Sequence, residues 1–424
     1  MLDLKFIREN PELVKHALDK LGAAAPIDEI LNLDAQRRDL LAKVEAVKHE
    51  LNLRSKHIGK TPHQDREALI DETRRLGDEI KALDAQLQQI EAEINQLLLL
   101  VPNMPHPRTP IGKDESENVV LRTWGQPKEF DFDPKPHWEL GPELGILDLE
   151  RGAKISGSRF FVLRGAGAKL ERALISFMLD LHVNEHGYTE IWPPFLVRRE
   201  CIVATGDLPK FEDNLYRDEE DDLWLIPTAE VPLTNLYSGE ILEAGRLPVK
   251  QVAYTPCFRR ERAAAGRDTR GIKRVHQFDK VELVKHTTPE TSDEELDGLV
   301  ADAENVLRRL GLCYRVVQMC TGDLSFKASL KYDLEAWAPG CGEWLEVSSC
   351  SHFGDFQARR ANIRYRTSRG DRPRFVHTMN GSGVALPRTV IAILETFQQP
   401  DGSVAIPEVL RPYMGGMERI TAQV

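Results

Sequence analysis

Between residues 258 and 278 the chain reads Phe258-Arg259-Arg260-Glu261, then Gly266-Arg267-Asp268-Thr269-Arg270-Gly271, then His276-Gln277-Phe278. Arg259, Arg260, Arg262, Arg267, Arg270, Lys273 and Arg274 all fall in this stretch, between two strand-like runs. A basic loop fixed at both ends by strands suits a polyanion such as a phosphate chain, gripped by charge-assisted hydrogen bonds. A second stretch, Asn380-Gly381-Ser382-Gly383, reads as a glycine-rich turn. It runs into an apolar helix, Val384 to Glu395, whose first turn carries Arg388. A third, Gly187-Tyr188-Thr189-Glu190-Ile191, passes through Trp192 and Pro193 to Pro194-Phe195-Leu196, as a strand ending at a proline turn would. Each run alone also fits an ordinary surface loop. Their order and spacing are the stronger signal.

In that order the runs resemble motifs 2, 3 and 1 of the class II aminoacyl-tRNA synthetases. Finer residues narrow the resemblance. Ile226-Pro227-Thr228-Ala229-Glu230, Glu282 and the serine of Asn380-Gly381-Ser382-Gly383 resemble the amino-acid site of seryl-tRNA synthetases. Glu346-Val347-Ser348-Ser349-Cys350-Ser351, continuing to Asp355-Phe356-Gln357-Ala358-Arg359-Arg360, resembles their ATP- and magnesium-binding strand. Pro407-Glu408-Val409-Leu410-Arg411-Pro412-Tyr413-Met414 resembles their C-terminal signature. The chain is similar to the bacterial type from about residue 1 to its end, without a large insertion.

The resemblance implies a two-step reaction. The serine carboxylate attacks the α-phosphate of ATP, giving seryl-adenylate and pyrophosphate. The terminal ribose hydroxyl of serine tRNA, and of selenocysteine tRNA, then takes the seryl group. Arg259 would bridge the α-phosphate and the serine carboxylate, a task for a planar fork rather than a lysine. Arg260, Val347 and Ser348 would join the ATP site. Glu261 would accept from the adenine amino group, Phe278 and Arg388 would sandwich the ring, and Val275 would add backbone contact. Glu346 and Ser349 would hold magnesium through hard oxygens. Thr228 and Glu230 would receive the serine amino group, with Ala229 in the same site, and Glu282 the hydroxyl, beside Asn380 and Ser382. One departure stands out: where the family often has Ala-Gly-Ser-Ala-Gly after Glu261, this chain has Arg262-Ala263-Ala264-Ala265-Gly266.

Such a site needs elements to hold it. Leu33, Leu40, Val44, Val47, Leu51 and Ile58 form one heptad seam, interrupted by Arg37 and Arg54. Leu69, Leu76, Ile80, Leu83, Leu87, Ile90, Ile94 and Leu97 form another, with Thr73 as its soft position. Gly59-Lys60-Thr61-Pro62 breaks the pattern between them, so the two helices fold back into an antiparallel arm of roughly 45 Å. One helix from residue 3 to about 21 braces its base. The stretch 51–64 carries no acid but holds Arg54, Lys56, Lys60, His57 and His63, a composition suited to phosphate contacts that do not read sequence. In the family this arm reaches the long variable arm of serine tRNA, which places Arg54, Lys56 and Lys60 as tRNA contacts. Pro102, Pro105, Pro107 and Pro110 mark a linker. Strands are expected at 160–163, 190–192, 250–254, 277–284, 314–317 and 344–348, and a helix at 292–310. The absence of regular βαβ repeats makes the fold α+β, with a mostly antiparallel sheet flanked by helices. The expected division is an arm at 1–101, a linker at 102–118 and a catalytic domain at 119–424.

Bulk properties agree. A length of 424 residues suits about two domains, and 41% hydrophobic with 29% charged residues is ordinary for a globular protein. No apolar run approaches the ~20 residues of a membrane span. The charged start, Met1-Leu2-Asp3-Leu4-Lys5-Phe6-Ile7-Arg8-Glu9, lacks the apolar core of a signal peptide, so a cytoplasmic location is expected. The six cysteines include no Cys-x-x-Cys, which favours free thiols and the zinc-free branch of the family. A net charge of −11 does not exclude a nucleic-acid partner, since local clusters decide where phosphates land. The motif 1 resemblance implies a homodimer. Two other readings exist. An enzyme loading a carrier protein would lack the arm and carry zinc. An inactive RNA-binding relative would have lost Arg259, Glu346 or Arg388, and all three are present.

Overall fold

The computed structural model describes residues 1–58, 62, 66–262 and 270–422. They form two compact units, one of Leu2–Asp19 and Ala23–Pro102, the other of Met1, Lys20–Gly22 and Asn103–Val424.

The first unit is helical. The expected single N-terminal helix is two, α1 (Leu4–Glu9) and α2 (Pro11–Lys20), because Pro11 cannot continue the hydrogen-bond ladder. Asp3 caps α1 by accepting from the amides of Lys5 and Phe6. Helices α3 (Ile27–Ile58) and α4 (Arg66–Leu98) pair along their length, with Leu33, Val44, Ile80 and Ile94 buried in the seam. The polar seam positions are ion-paired. Arg37 contacts Asp34 at 3.2 Å and Glu91 of α4 at 3.6 Å. Arg54 is held between Glu50, at 2.6 Å, and Glu72 of α4. Arg8 of α1 donates to the buried Asp34 at 3.0 Å, which ties the short helix to the base of the arm. Burial acts to raise the Asp34 carboxyl, but the Arg8 and Arg37 hydrogen bonds outweigh it and hold it below the usual range.

The second unit is built on eight strands: β1 (Val119–Trp124), β2 (Thr189–Glu190), β3 (Val249–Phe258), β4 (Gln277–Thr287), β5 (Tyr314–Gln318), β6 (Leu330–Ala338), β7 (Glu343–Gly354) and β8 (His377–Ala385). Their order is β1-β5-β6-β7-β8-β4-β3-β2, antiparallel except for the β2–β3 pair. Helices α5 (His137–Glu143), α6 (Ala166–Asn184), α7 (Ser292–Leu310) and α8 (Leu386–Phe397) share one core with this sheet through residues such as Leu174, Leu299, Val316, Leu334 and Ile391. Helix α7 has the expected bounds. Its Gly311 cap adopts the left-handed conformation that stops helices.

Three expectations fail locally. The strand expected at 160–163 is only Val162–Leu163, paired with Leu147–Asp148 outside the main sheet. The strand expected at 190–192 is only Thr189–Glu190, ended by the prolines that follow Trp192. Asn380-Gly381-Ser382-Gly383 is not a turn but the middle of β8, flanked by β7 and β4. The glycines serve close packing there. A Cβ on Gly381 would lie 2.2 Å from Leu299 Cδ2 of α7, and one on Gly383 would lie 2.9 Å from His182 Nε2 of α6. The proline-rich stretch is stitched to the second unit. Asn103 Nδ2 donates to the carbonyls of Lys327 (2.9 Å) and Phe353 (2.8 Å), and Thr109 Oγ1 to that of Ser329 (2.8 Å).

Candidate active site

A cleft of about 440 Å³ opens where β4, β7 and β8 meet the end of β3 and the start of α8. Seven cations line it: Arg259, Lys273, Arg274, Lys280, Lys327, Lys331 and Arg388. Four carboxylates, Asp207, Glu230, Glu261 and Glu346, face them. The excess is positive in a chain whose net charge is −11, so the cleft focuses anions against the sign of the whole protein.

Three of the cations, Arg259, Arg274 and Arg388, are each fixed by hydrogen bonds or an ion pair. Arg259, at the end of β3, donates from Nε to the Pro227 carbonyl at 3.2 Å and lies 5.1 Å from the Phe278 ring centroid. Arg388, in the first turn of α8, donates to the carbonyls of Lys273 (3.0 Å) and Glu346 (2.8 Å). Arg274 holds Glu261 at 2.9 Å. Ser349, Ser351 and Phe353 follow strand alternation and line the cleft. Glu346 stands three residues before Ser349 and would face away in a regular strand. A bulge opposite Leu334 and Glu335 turns it into the cleft. Burial acts to raise the Glu346 carboxyl, but Arg388, Lys331, Arg259 and Arg274 keep it below its ordinary value, hence ionised.

The second group centres on Asn380. Its amide Nδ2 donates to Glu282 at 2.8 Å and to Glu230 at 3.0 Å, leaving the buried Oδ1 acceptor without a partner among the described residues. Lys327 bridges Glu230 (2.9 Å) and Asp207 (3.1 Å). Burial acts to lower the Lys327 ammonium, and the two carboxylates override it and raise it. Lys280 donates to Thr228 Oγ1 at 2.9 Å and also pairs with Glu282. Gln357 donates to Glu230 at 2.6 Å. This arrangement fits a small zwitterion: carboxylates and an amide acceptor for an ammonium, beside cations for a carboxylate.

Twelve of the residues named from the sequence line the cleft: Thr228, Glu230, Arg259, Glu261, Val275, Phe278, Glu346, Val347, Ser349, Asn380, Ser382 and Arg388. Four do not. Arg260 turns away, donating to the Leu215 carbonyl at 2.8 Å and covering the Tyr216 ring. Ala229 is core. Ser348 is buried and donates to the Ser382 carbonyl at 2.6 Å. Glu282 is fully buried and adjoins the cleft through Asn380 and Lys280. Arg54 lies in the arm seam, Lys56 is exposed, and Lys60 falls outside the described residues, as do positions 263–265 of the departing loop. Sequence reasoning missed Lys280, Lys327, Lys331 and Asp207. The first three stand on or beside β4 and β6, where alternation with apolar neighbours is the available signal.

A basic loop between antiparallel strands β3 and β4, with an arginine opening the helix after β8, defines a class II aminoacyl-tRNA synthetase core. Residues 210–397 match the family "tRNA synthetase class II core domain (G, H, P, S and T)", and residues 1–105 match "Seryl-tRNA synthetase N-terminal domain". The chain is 66% identical to the serine–tRNA ligase of Thermomicrobium roseum, over all of this chain and 95% of the relative. It is 58% identical to that of a Roseiflexus species, over 99% of each. The seryl-tRNA synthetase of Pyrococcus horikoshii, solved with ATP, superposes over the full length of both chains with a TM-score of 0.94 at 40% identity. The chain belongs to the seryl-tRNA synthetase family, the ligases that charge tRNA with serine. Among the described residues no helix is long and apolar enough to cross a membrane.

Proposed function

We propose that the cleft activates L-serine with ATP and passes the seryl group to the 3′ end of serine tRNA, with the catalytic machinery in 119–424 and the tRNA-binding arm in 1–101. The carrying observation is the pairing of two groups in one cleft, a cationic one around Arg259 and Arg388 and an acid-and-amide one around Asn380. Two relatives support the nucleotide: the Pyrococcus enzyme was solved with ATP and that of Naegleria fowleri, 32% identical, with AMP.

ATP enters with its phosphates among Arg259, Lys273, Arg274 and Arg388. Arg259 bridges the α-phosphate and the serine carboxylate. Phe278 and Arg388 enclose the adenine, Glu261 accepts from its amino group, and Val275 and Val347 close the walls. The serine ammonium meets Glu230, Thr228 and the Asn380 Oδ1 acceptor. Its hydroxyl is read at Ser382 and Glu282. A site built to bond a hydroxyl rejects alanine because its own polar groups would stay unpaired. Attack is in line on the α-phosphorus, the bond to pyrophosphate breaks, and the fixed cations stabilise the charge without reorganising.

The carboxylate of Glu346 and the hydroxyl of Ser349, turned to one side by the bulge, are hard oxygen donors that fit magnesium. Magnesium there would neutralise charge on the ATP phosphates, and no zinc is required. The exposed Trp192 and Leu196 beside β2 support a homodimer through the motif 1 face. Lys56, exposed on α3, and Lys60, which lies outside the described residues, are the contacts expected to meet tRNA phosphates. Arg54, engaged by two glutamates, holds the arm instead. Selenocysteine tRNA is a second acceptor on this reading, and the location is cytoplasmic.

Serine-dependent exchange between ATP and pyrophosphate tests the first step, and charging of serine and selenocysteine tRNA transcripts tests the second. Exchange with alanine or threonine as efficient as with serine would overturn the substrate assignment.

A further inference from the structure

Behind the nucleotide side of the cleft, His137, Cys341 and Glu395 bring ligand-type atoms within 4.8 Å of one another. These are zinc-ligand types, but the hydrogen bonds argue for another use. The amide of Ile272 donates to His137 Nε2 at 3.1 Å, so Nε2 must present its lone pair. The ring proton therefore sits on Nδ1, which faces Glu395 Oε1 at 2.8 Å. A cation on Nδ1 would require the proton on Nε2, pointed at another N–H. Glu395 is saturated with donors instead: the His137 ring and amide (2.9 Å), and the Cys341 thiol (3.0 Å) and amide (2.9 Å).

Helix α8 thus grips the returning end of the basic loop at two adjacent residues. Arg388 takes the Lys273 carbonyl directly. Glu395, two turns further on the same face, takes the Ile272 amide through His137. Ile272, Lys273, Arg274 and Val275 all line the cleft. Gly271 fits the same scheme. Its φ is +66°, and a Cβ there would lie 1.9 Å from His137 Nε2.

We propose that His137, oriented by Glu395, is a positioning residue for ATP, fixing the 271–275 segment so that its backbone and its cations Lys273 and Arg274 stand ready for the nucleotide. This rests on the reading that the cleft binds ATP and serine. His137 touches neither substrate.

Two polar replacements separate this role from simple filling of a buried space. An asparagine ends near the position of Nδ1 and can still donate to Glu395. A glutamine ends near Nε2 and can still accept from Ile272. In ATP–pyrophosphate exchange, His137→Asn is expected to raise the KM for ATP about tenfold while moving the KM for serine less than about twofold, and His137→Gln to stay within about threefold of wild type. Gly271→Ala attacks the contact from the loop side, leaving the His137–Glu395 pair chemically intact, and should reproduce the rise in ATP KM even if His137→Asn does not fold. Wild-type exchange dependent on serine keeps the underlying reading secure whatever the variants do. The proposal is overturned if Asn is tolerated and Gln is not, if both variants lose kcat with unchanged KM for ATP, or if Gly271→Ala binds ATP normally.

Discussion

At the scale of single residues, chemistry and structure are separable by what each side chain touches. Arg259 donates from Nε to a carbonyl and presents the rest of its fork to the cleft. Arg259→Ala should lower exchange more than about 100-fold, from loss of a preorganised transition-state contact, with an unchanged circular dichroism spectrum. Near-normal exchange would remove it from the mechanism. Asn380→Asp tests the other group. It would remove the donor that satisfies both Glu230 and Glu282 and put a third carboxylate between them. The KM for serine should rise at least about tenfold and that for ATP much less, as steady-state exchange would record. Much of the site was legible in the sequence, because arginines in a loop and carboxylates next to small polar residues stand out against apolar strands. The outward turn of Arg260 and the full burial of Glu282 were not. Whether a side chain beside a site enters it or backs it depends on strand alternation and bulges, and the bulge at Glu346 leaves no mark in composition.

Elements divide in the same way. The heptad helices and the helix Ser292–Leu310 follow from periodicity that only one secondary structure satisfies. Strand β8 did not announce itself, because glycines placed for close packing look like glycines placed for turning. Gly381→Ala should therefore cost about 1–3 kcal/mol through overpacking against Leu299, measurable by urea denaturation. No loss would mean that α7 yields more easily than a buried helix should. The arm gives a functional test. Excision of residues 47 to 76 with a short closing turn should leave serine-dependent exchange almost intact, since every cleft residue lies beyond 200 in sequence. Charging of tRNA should collapse. Equal charging by the trimmed and full-length proteins would reduce the arm to a spacer.

For the molecule as a whole, burial of neutral histidines sets a limit in acid. Burial, with His186 nearby, pushes His182 down to about 3. Burial, with His377, His106 and Arg108 adding to it, pushes His352 down to about 3 as well. His286 is pushed to about 4, burial outweighing the Thr234 carbonyl. In the unfolded chain each would take a proton near pH 6.5. Below that value the unfolded state holds more protons at these three sites, so their contribution to stability falls as the pH drops toward 4; Glu171, pushed up to about 8 by burial, and Asp333, pushed up to about 7 by burial, act in the opposite sense. The fall in urea midpoint from pH 7 to pH 5 should be smaller in His286→Gln than in wild type, and an equal fall would mean that His286 is already protonated in the fold.

The two charged pairs in the arm seam have a mechanical consequence. A leucine seam repeats every seven residues, so one helix can slide along the other by about 10 Å and bury the same kind of face. Arg37 with Glu91 and Arg54 with Glu72 favour one register, since a slip would break both cross-helix pairs, each of modest worth at this exposure. The arm is therefore a ruler with a preferred zero. Distances along the described part of the arm are set by that register, a constancy that the tRNA-binding role proposed above would use more than it would use strength.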